Sequence, residues 1–85
     1  MLQVVSKLAL NQAAHPLQVL GPREREVFDL VIQGLDNHEI SKRLFLSDKT
    51  VKNYVTSLRK KLGLKNRAQI VLFAVAHGML EVVDQ

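Results

Sequence analysis

The chain has 85 residues, enough for one small domain, and its content of 47% hydrophobic and 24% charged residues excludes a disordered protein. Cysteine is absent, which excludes disulfides, thiolate metal sites and cysteine nucleophiles. The net charge is +4, and no apolar run approaches the ~20 residues of a membrane span or has the design of a signal peptide. We therefore expect a cytoplasmic protein.

The first 14 residues have the composition of a helix, which His15-Pro16 ends because the residue before a proline disfavours helical geometry. Residues 17–20 are interpreted as a connector. The predicted organisation is a linker with an N-terminal helix at residues 1–19, followed by one domain at residues 20–82.

The first helix of that domain is predicted to begin at Gly21-Pro22, because proline suits the first helical turn. Glu24 and Glu26 add negative charge near the positive end of its dipole. Its apolar face contains Val27, Leu30 and Val31. A glycine followed by a hydrophobic residue is a common helix stop, and the chain has three: Gly34-Leu35, Gly63-Leu64 and Gly78-Met79. Three such stops indicate an all-α chain.

A short second helix is predicted to open at a capping box, Asp36-x-x-Glu39, and to run through Leu44. Ser47 is expected to cap a third helix over residues 48–62. Only three residues separate these helices, and two helices joined by such a turn form a helix-turn-helix candidate. The predicted fold is an all-α, compact four-helix helix-turn-helix domain preceded by the N-terminal linker helix.

The fourth helix is predicted to open at Asn66-x-x-Gln69 and to end near His77, and it carries two apolar stripes. One stripe contains Ile70, Phe73, Ala74 and His77. The other contains Ala68, Val71, Leu72 and Val75. A small domain buries only one stripe, so we assign the second to a homodimer surface, although the spacing alone does not decide which stripe faces outward. The alternative is a helix buried all round.

The third helix has two chemically distinct faces. Its predicted core stripe is Val51, Val55, Leu58 and Leu62. Its opposite stripe is Lys49, Lys52, Asn53, Thr56 and Lys60. Lysine donates to guanine and asparagine pairs with adenine, whereas a merely solvated face would mix charge signs. We therefore predict that four residues read DNA bases: Lys49, Lys52, Asn53 and Thr56.

Positive charge is concentrated around this helix. Residues 42–67 hold nine Lys or Arg and one acid, Asp48, for a net charge of +8, whereas the rest of the chain carries −4. Such a segment on an acidic body indicates a polyanionic partner, chiefly nucleic acid. The predicted phosphate contacts are Ser47, Thr50, Tyr54, Arg59, Lys60 and Lys61.

Residues 20–79 resemble the LuxR-type (NarL/FixJ) helix-turn-helix domain of bacterial transcription regulators. The matching pieces are PREREV at residues 22–27, Gly34-Leu35, Asn37, Glu39-Ile40, Leu46-Ser47, Thr50-Val51-Lys52, Leu62-Gly63 and Asn66-Arg67. The resemblance implies that the third helix enters the major groove of double-stranded DNA and that the fourth helix carries the dimer contact. Gly21 departs from the usual threonine, which removes a capping hydroxyl, and Tyr54 stands where histidine is common.

The resemblance also concerns the start of the chain. Residues 1–20 are similar to the linker that joins a receiver domain to this effector domain in two-component response regulators. The chain is then either the C-terminal part of a longer regulator or a free-standing small regulator. The sequence leaves both alternatives open.

Enzymatic functions are poorly supported by the sequence. The three histidines are far apart, a Gly-rich phosphate loop is absent, and the serines lack a base partner. We predict no enzymatic activity, no metal site and no cofactor. Two hypotheses remain: a sequence-specific DNA-binding transcription regulator that acts as a dimer, and a helical dimerisation or interaction module that has kept the fold without reading DNA.

Overall fold

The computed structural model describes residues 16–80, so the helix predicted over residues 1–14 lies outside the described residues. A short 3-10 turn, Pro16–Val19, comes first. Four α-helices follow: α1 (Pro22–Ile32), α2 (Asn37–Leu44), α3 (Asp48–Lys61) and α4 (Arg67–Ala76). The predicted all-α, four-helix architecture is confirmed, and each of these helices begins where its N-terminal signal predicts.

Local side chains fix the helix starts. The Asp36 carboxylate accepts the backbone N–H of Glu39 at 2.8 Å, and the Glu39 carboxylate accepts the backbone N–H of Asp36 at 2.8 Å. This reciprocal pair is the predicted capping box. The side chains of Ser47 and Asn66 each accept a backbone N–H from the first turn of α3 and α4.

The glycine stops have the backbone geometry that the sequence predicts. All three lie in the left-handed region, where a side chain would be strained: Gly34, Gly63 and Gly78. After α3, for example, the N–H of Leu64 returns to the carbonyl of Arg59 at 2.9 Å. The chain therefore reverses sharply after α1, α3 and α4.

The core lies where the four helices meet. Its buried hydrophobic residues are Leu17, Val27, Phe28, Leu30, Val31, Ile40, Val51, Leu58, Ile70 and Ala74. The predicted apolar face of α1 is confirmed. In the α3 stripe, Val51 and Leu58 are fully buried, whereas Val55 and Leu62 are only half-buried at the edge of the core. Leu17, predicted to lie in a connector, is 3% exposed and belongs to this core.

The structure decides which stripe of α4 faces inward. Ile70 and Ala74 are fully buried, and the Phe73 ring packs edge-to-face on Phe28 of α1 with ring centroids 6.3 Å apart. Leu72 is 64% exposed on the other side. The alternative of a helix buried all round is therefore wrong for the single chain. His77, counted with the inward stripe, is exposed at the helix end and lies against the Phe73 ring.

The turn between α2 and α3 contains an unusual residue. Phe45 has φ 58° and ψ 45°, the left-handed conformation that aromatic residues rarely adopt. The next residue, Leu46, donates its N–H to the carbonyl of Ser41 at 2.9 Å and packs against the core. This geometry ends α2 and turns the chain into α3, as the helix-turn-helix prediction requires.

Candidate nucleic-acid interface

The outer face of α3 carries the predicted base-reading residues together. Lys49, Lys52 and Asn53 are exposed, and Thr56 is half-buried beside them. Lys60 extends the same face by a further turn, so the face runs about 16 Å along the axis at 1.5 Å per residue. Within residues 16–80, none of its three lysines forms an ion pair with a carboxylate.

This face consists of donors directed outward from a rigid helix. Each lysine ammonium offers three hydrogens, and the Asn53 amide offers both a donor and an acceptor. An α-helix of this diameter fits the major groove of B-DNA, whose base edges present the complementary acceptors and donors. The arrangement is chemically able to bind a polyanion and to distinguish base pairs.

The single acid of the basic segment lies at the start of α3. The Asp48 carboxylate contacts Nδ1 of His38 on α2 at 3.3 Å. The pKa of Asp48 lies below its usual value, chiefly because of the Ser41 hydroxyl and to a smaller extent because of His38. Asp48 is therefore directed towards α2, which leaves the lysine face of α3 without negative charge.

The hydroxyls at the N-terminus of α3 bind each other. Ser47 Oγ accepts the backbone N–H of Thr50 at 3.0 Å and donates to Thr50 Oγ1 at 2.8 Å. Their side chains thus serve the helix cap, and the helix dipole makes this end attractive to an anion. Two predicted phosphate contacts lie side by side at this end.

A buried carboxylate holds the far half of α3 against α1. Glu24 is 7% exposed, and its carboxylate accepts Lys61 Nζ at 2.8 Å, the Ser57 hydroxyl, and the backbone N–H of Gly21 at 2.8 Å. The Lys61 bond, then the Ser57 and Gly21 bonds, lower the pKa of Glu24 from 4.5 to about 2. One side chain thereby makes the reciprocal bond of a capping box at the start of α1, where Gly21 has no side chain to make the other, and fixes the position of α3.

The pKa of Glu24 predicts an acid-sensitive fold. A carboxyl whose pKa falls on folding stabilises the protein above its unfolded pKa of about 4.5, and this contribution is lost as the pH falls towards about 2. We expect Glu24→Gln to lower the free energy of unfolding by about 1–3 kcal/mol at neutral pH, discounted because Lys61 is half-exposed. The difference between parent and variant is expected to vanish near pH 2, measured by urea unfolding from pH 7 downwards.

Glu26→Gln is the matched control on the same helix. Its side chain is 53% exposed, and among residues 16–80 it pairs with Arg23 alone, so we expect a change below about 0.5 kcal/mol. A Glu24→Gln deficit that stayed constant from pH 7 to pH 2 would show that packing, and not the ionised carboxylate, supplies the stability.

The remaining predicted phosphate contacts differ in availability. Arg59 donates to the carbonyls of Leu64 and Lys65 at 3.0 and 3.3 Å, and Tyr54 is half-buried against the core. Lys61, although 45% exposed, is bound to Glu24. Lys60 alone in this group of four is exposed without an intramolecular hydrogen bond or ion pair among residues 16–80.

Sequence reasoning missed one further positioning residue. Arg67, at the first turn of α4, donates to the Asn37 side chain at 2.6 Å and to the Leu35 carbonyl at 2.5 Å. It therefore ties the start of α4 to the start of α2. The sequence shows that Arg67 belongs to a matched motif, but it does not show which residues accept its hydrogen bonds.

The stripe assigned to the dimer surface lies on the outside of α4. Leu72 and Ala68 are exposed, and Val71 and Val75 are half-buried at its margins. In the part of the chain that the structure describes, no helix is long and apolar enough to cross a bilayer. The same residues contain no cluster of three or more His, Asp or Glu side chains with metal-binding geometry.

Comparison with known proteins gives a consistent result. The family model described as bacterial regulatory proteins, luxR family, matches residues 18–74. Spore germination protein GerE of Bacillus subtilis (strain 168) is 44% identical over 64 residues, which cover 75% of this chain and 86% of GerE. The DNA-binding transcriptional activator DevR/DosR of Mycobacterium tuberculosis is 48% identical over 59 residues, covering 69% of this chain and 27% of its own.

A third relative is the oxygen regulatory protein NreC of Staphylococcus aureus, 39% identical over 66 residues, with 78% of this chain and 30% of NreC covered. The chain thus spans most of GerE but less than a third of DevR/DosR and of NreC.

A helix-turn-helix pair whose second helix has a basic outer face is typical of DNA-binding regulators, and α2 and α3 form such a pair. Within that class, the chain belongs to the luxR family of bacterial regulatory proteins. The family resemblance seen in the sequence is confirmed. Since this is a family of DNA-binding transcription regulators and not of enzymes, the prediction of a non-enzymatic protein is confirmed as well.

Proposed function

We propose that the chain binds double-stranded DNA sequence-specifically by inserting α3 into the major groove. The observation that carries this proposal is the outer face of α3, where exposed lysines and an exposed amide lie together without a carboxylate. In this arrangement four residues read bases: Lys49, Lys52, Asn53 and Thr56. Phosphates are contacted by Ser47, Thr50, Tyr54, Arg59, Lys60 and Lys61.

The geometry of DNA reading also favours a dimer. One α3 covers only a few base pairs, so a specific site requires two copies related by a two-fold axis. The outward stripe of α4 supplies the apolar surface for that contact: Ala68, Val71, Leu72 and Val75. Because the stripe is short, we expect a weak dimer that DNA stabilises.

The relatives suggest the cellular setting. DevR/DosR is named a DNA-binding transcriptional activator, and NreC an oxygen regulatory protein; the chain covers less than a third of each. We infer that it acts as the effector part of a two-component response regulator, in which the linker at residues 1–19 would join it to a receiver domain. Its place of action is then the bacterial cytoplasm, at the nucleoid when DNA is bound.

An interaction module that has kept the fold without reading DNA is the competing function. Such a module has no need to keep Lys49, Lys52 and Asn53 exposed on one face, so the α3 chemistry favours the regulator. Binding-site selection from random duplexes separates the two hypotheses. We expect enrichment of an inverted repeat whose half-site spacing reflects the α4 contact, whereas a module that does not read DNA would enrich no sequence.

A further inference from the structure

A depression lies on the outward side of α2, away from the helix core. It has a volume of about 540 Å³ and is lined by Leu35, Glu39, Lys42, Arg43 and Phe45. None of these residues belongs to α3 or to the outward stripe of α4. The depression is therefore distinct from α3 and from the outward stripe of α4, although its two cations, Lys42 and Arg43, belong to the basic segment at residues 42–67.

Phe45, at one side of this depression, is unfavourable for the isolated domain in two ways. Its side chain is 92% exposed, so the phenyl ring is in water and contributes almost nothing to the core. Its backbone has φ 58°, a region that glycine enters without strain and that a phenylalanine enters only at a cost. Folding gives no reason for phenylalanine at this position, whereas contact with a binding partner would give one.

The charges around the depression are predominantly basic. Lys42 and Arg43 are exposed in the last turn of α2, and among residues 16–80 neither forms an ion pair. The one acid, Glu39, uses its carboxylate to accept the backbone N–H of Asp36 at 2.8 Å. The depression thus combines an apolar ring with two cations that form no ion pair among residues 16–80.

We propose that this depression docks an acidic protein segment that carries one large apolar side chain. The apolar side chain packs against Phe45 and the half-buried Leu35, while carboxylates of the segment pair with Lys42 and Arg43. Aromatic and arginine side chains are the usual anchors of protein interfaces. DNA phosphates would satisfy the two cations but would leave the phenyl ring without a partner, so the observations favour a protein.

The proposal goes beyond DNA reading and does not depend on it. None of its lining residues is among those to which we assign base or phosphate contacts, so we expect DNA and the acidic segment to bind the same domain together. If α3 does not read DNA, the depression is unchanged.

The test uses a synthetic helix-forming peptide of Glu and Ala with one central Trp, titrated into the ¹⁵N-labelled chain and followed by amide chemical shifts. We expect saturable shifts at Leu35, Glu39, Lys42, Arg43 and Phe45. A matched peptide with Ser in place of Trp controls for charge alone and is expected to bind at least about tenfold more weakly. An absence of shifts in this region, or equal binding of both peptides, would overturn the proposal.

Phe45→Gly tests the anchor without harming the fold, because glycine accepts the left-handed backbone of residue 45. We expect an unchanged or higher thermal midpoint, unchanged affinity for duplex DNA, and at least a tenfold loss of affinity for the Trp peptide, about the loss expected of an anchor. A variant that bound the peptide as tightly as the parent would contradict the assignment. A variant that lost duplex affinity instead would assign the depression to DNA.

Exchanging the charges provides the complementary test. We expect the double variant Lys42→Glu, Arg43→Glu to lose its affinity for the Glu-rich peptide. It should instead bind a peptide that has Lys at the Glu positions, which the parent protein does not bind. If the double variant kept its preference for the acidic peptide, the cations of α2 would have no part in docking.

Discussion

Raising the salt concentration from about 50 to 200 mM is expected to weaken DNA binding by ~10³–10⁵-fold, the loss typical of a protein that makes ~6–10 phosphate contacts. The segment at residues 42–67 carries a net charge of +8 and would displace counterions from the duplex. Fluorescence anisotropy with a labelled duplex across this range measures the slope of log affinity against log salt concentration. A flat dependence would favour the interaction-module hypothesis over DNA binding.

Lys60 allows the slope to be assigned to the α3 face. It is exposed, and among residues 16–80 it has no ion pair, so Lys60→Ala should remove one phosphate contact from each copy and reduce the slope by about 2 in a dimer. Arg25→Ala is the matched control, because it removes an equal charge from the exposed side of α1, where Arg25 pairs with Asp29. Equal changes in the two variants would indicate a general charge effect and not an α3 contact.

Leu72→Glu is expected to abolish cooperative occupancy of a two-half-site duplex while sparing weak binding to one half-site. Leu72 is 64% exposed on α4, so a charged side chain there should leave the core intact, but in the proposed dimer it would be buried by the second copy. Losing the second contact removes the gain from bivalency, and affinity for the full site should fall by about 10²–10⁴-fold. Titrations of full-site and half-site duplexes, with thermal melts as a check on folding, measure this effect.

Gln33→Glu controls for the added negative charge, since Gln33 is exposed just beyond the end of α1. It should bind both duplexes as the parent does. A folded Leu72→Glu protein that bound the two-half-site duplex as tightly as the parent would remove α4 from the dimer interface.

The helix boundaries were predictable because their signals are local. A cap residue and the N–H that it accepts lie three residues apart, as at Asp36 and Glu39, and a glycine stop acts on its own turn. The two-faced character of α3 was predictable for the same reason, since helical periodicity alone separates its core stripe from its lysine face.

The tertiary contacts were not predictable, because periodicity says nothing about partners on other helices. Glu24 lies 37 residues from Lys61, and Arg67 lies 30 residues from Asn37, yet these pairs hold α3 and α4 in place. Both stripes of α4 are predominantly apolar in sequence, and the buried stripe is the one whose Phe73 packs against Phe28. Likewise, the exposed left-handed Phe45 carries no sequence signal, because phenylalanine is not a residue that predicts this conformation.

The claim that α3 reads bases is tested most directly by Asn53→Ala, measured on the selected duplex and on a random duplex at one salt concentration. Loss of a bidentate contact to a base should cost ~1–3 kcal/mol, about 5- to 150-fold in affinity, on the selected duplex and relax the preference at one base pair. Affinity for the random duplex should stay unchanged. Lys60→Ala, as a phosphate contact, should weaken both duplexes alike. If Asn53→Ala instead weakened the selected and random duplexes by the same factor, α3 would not read bases through Asn53.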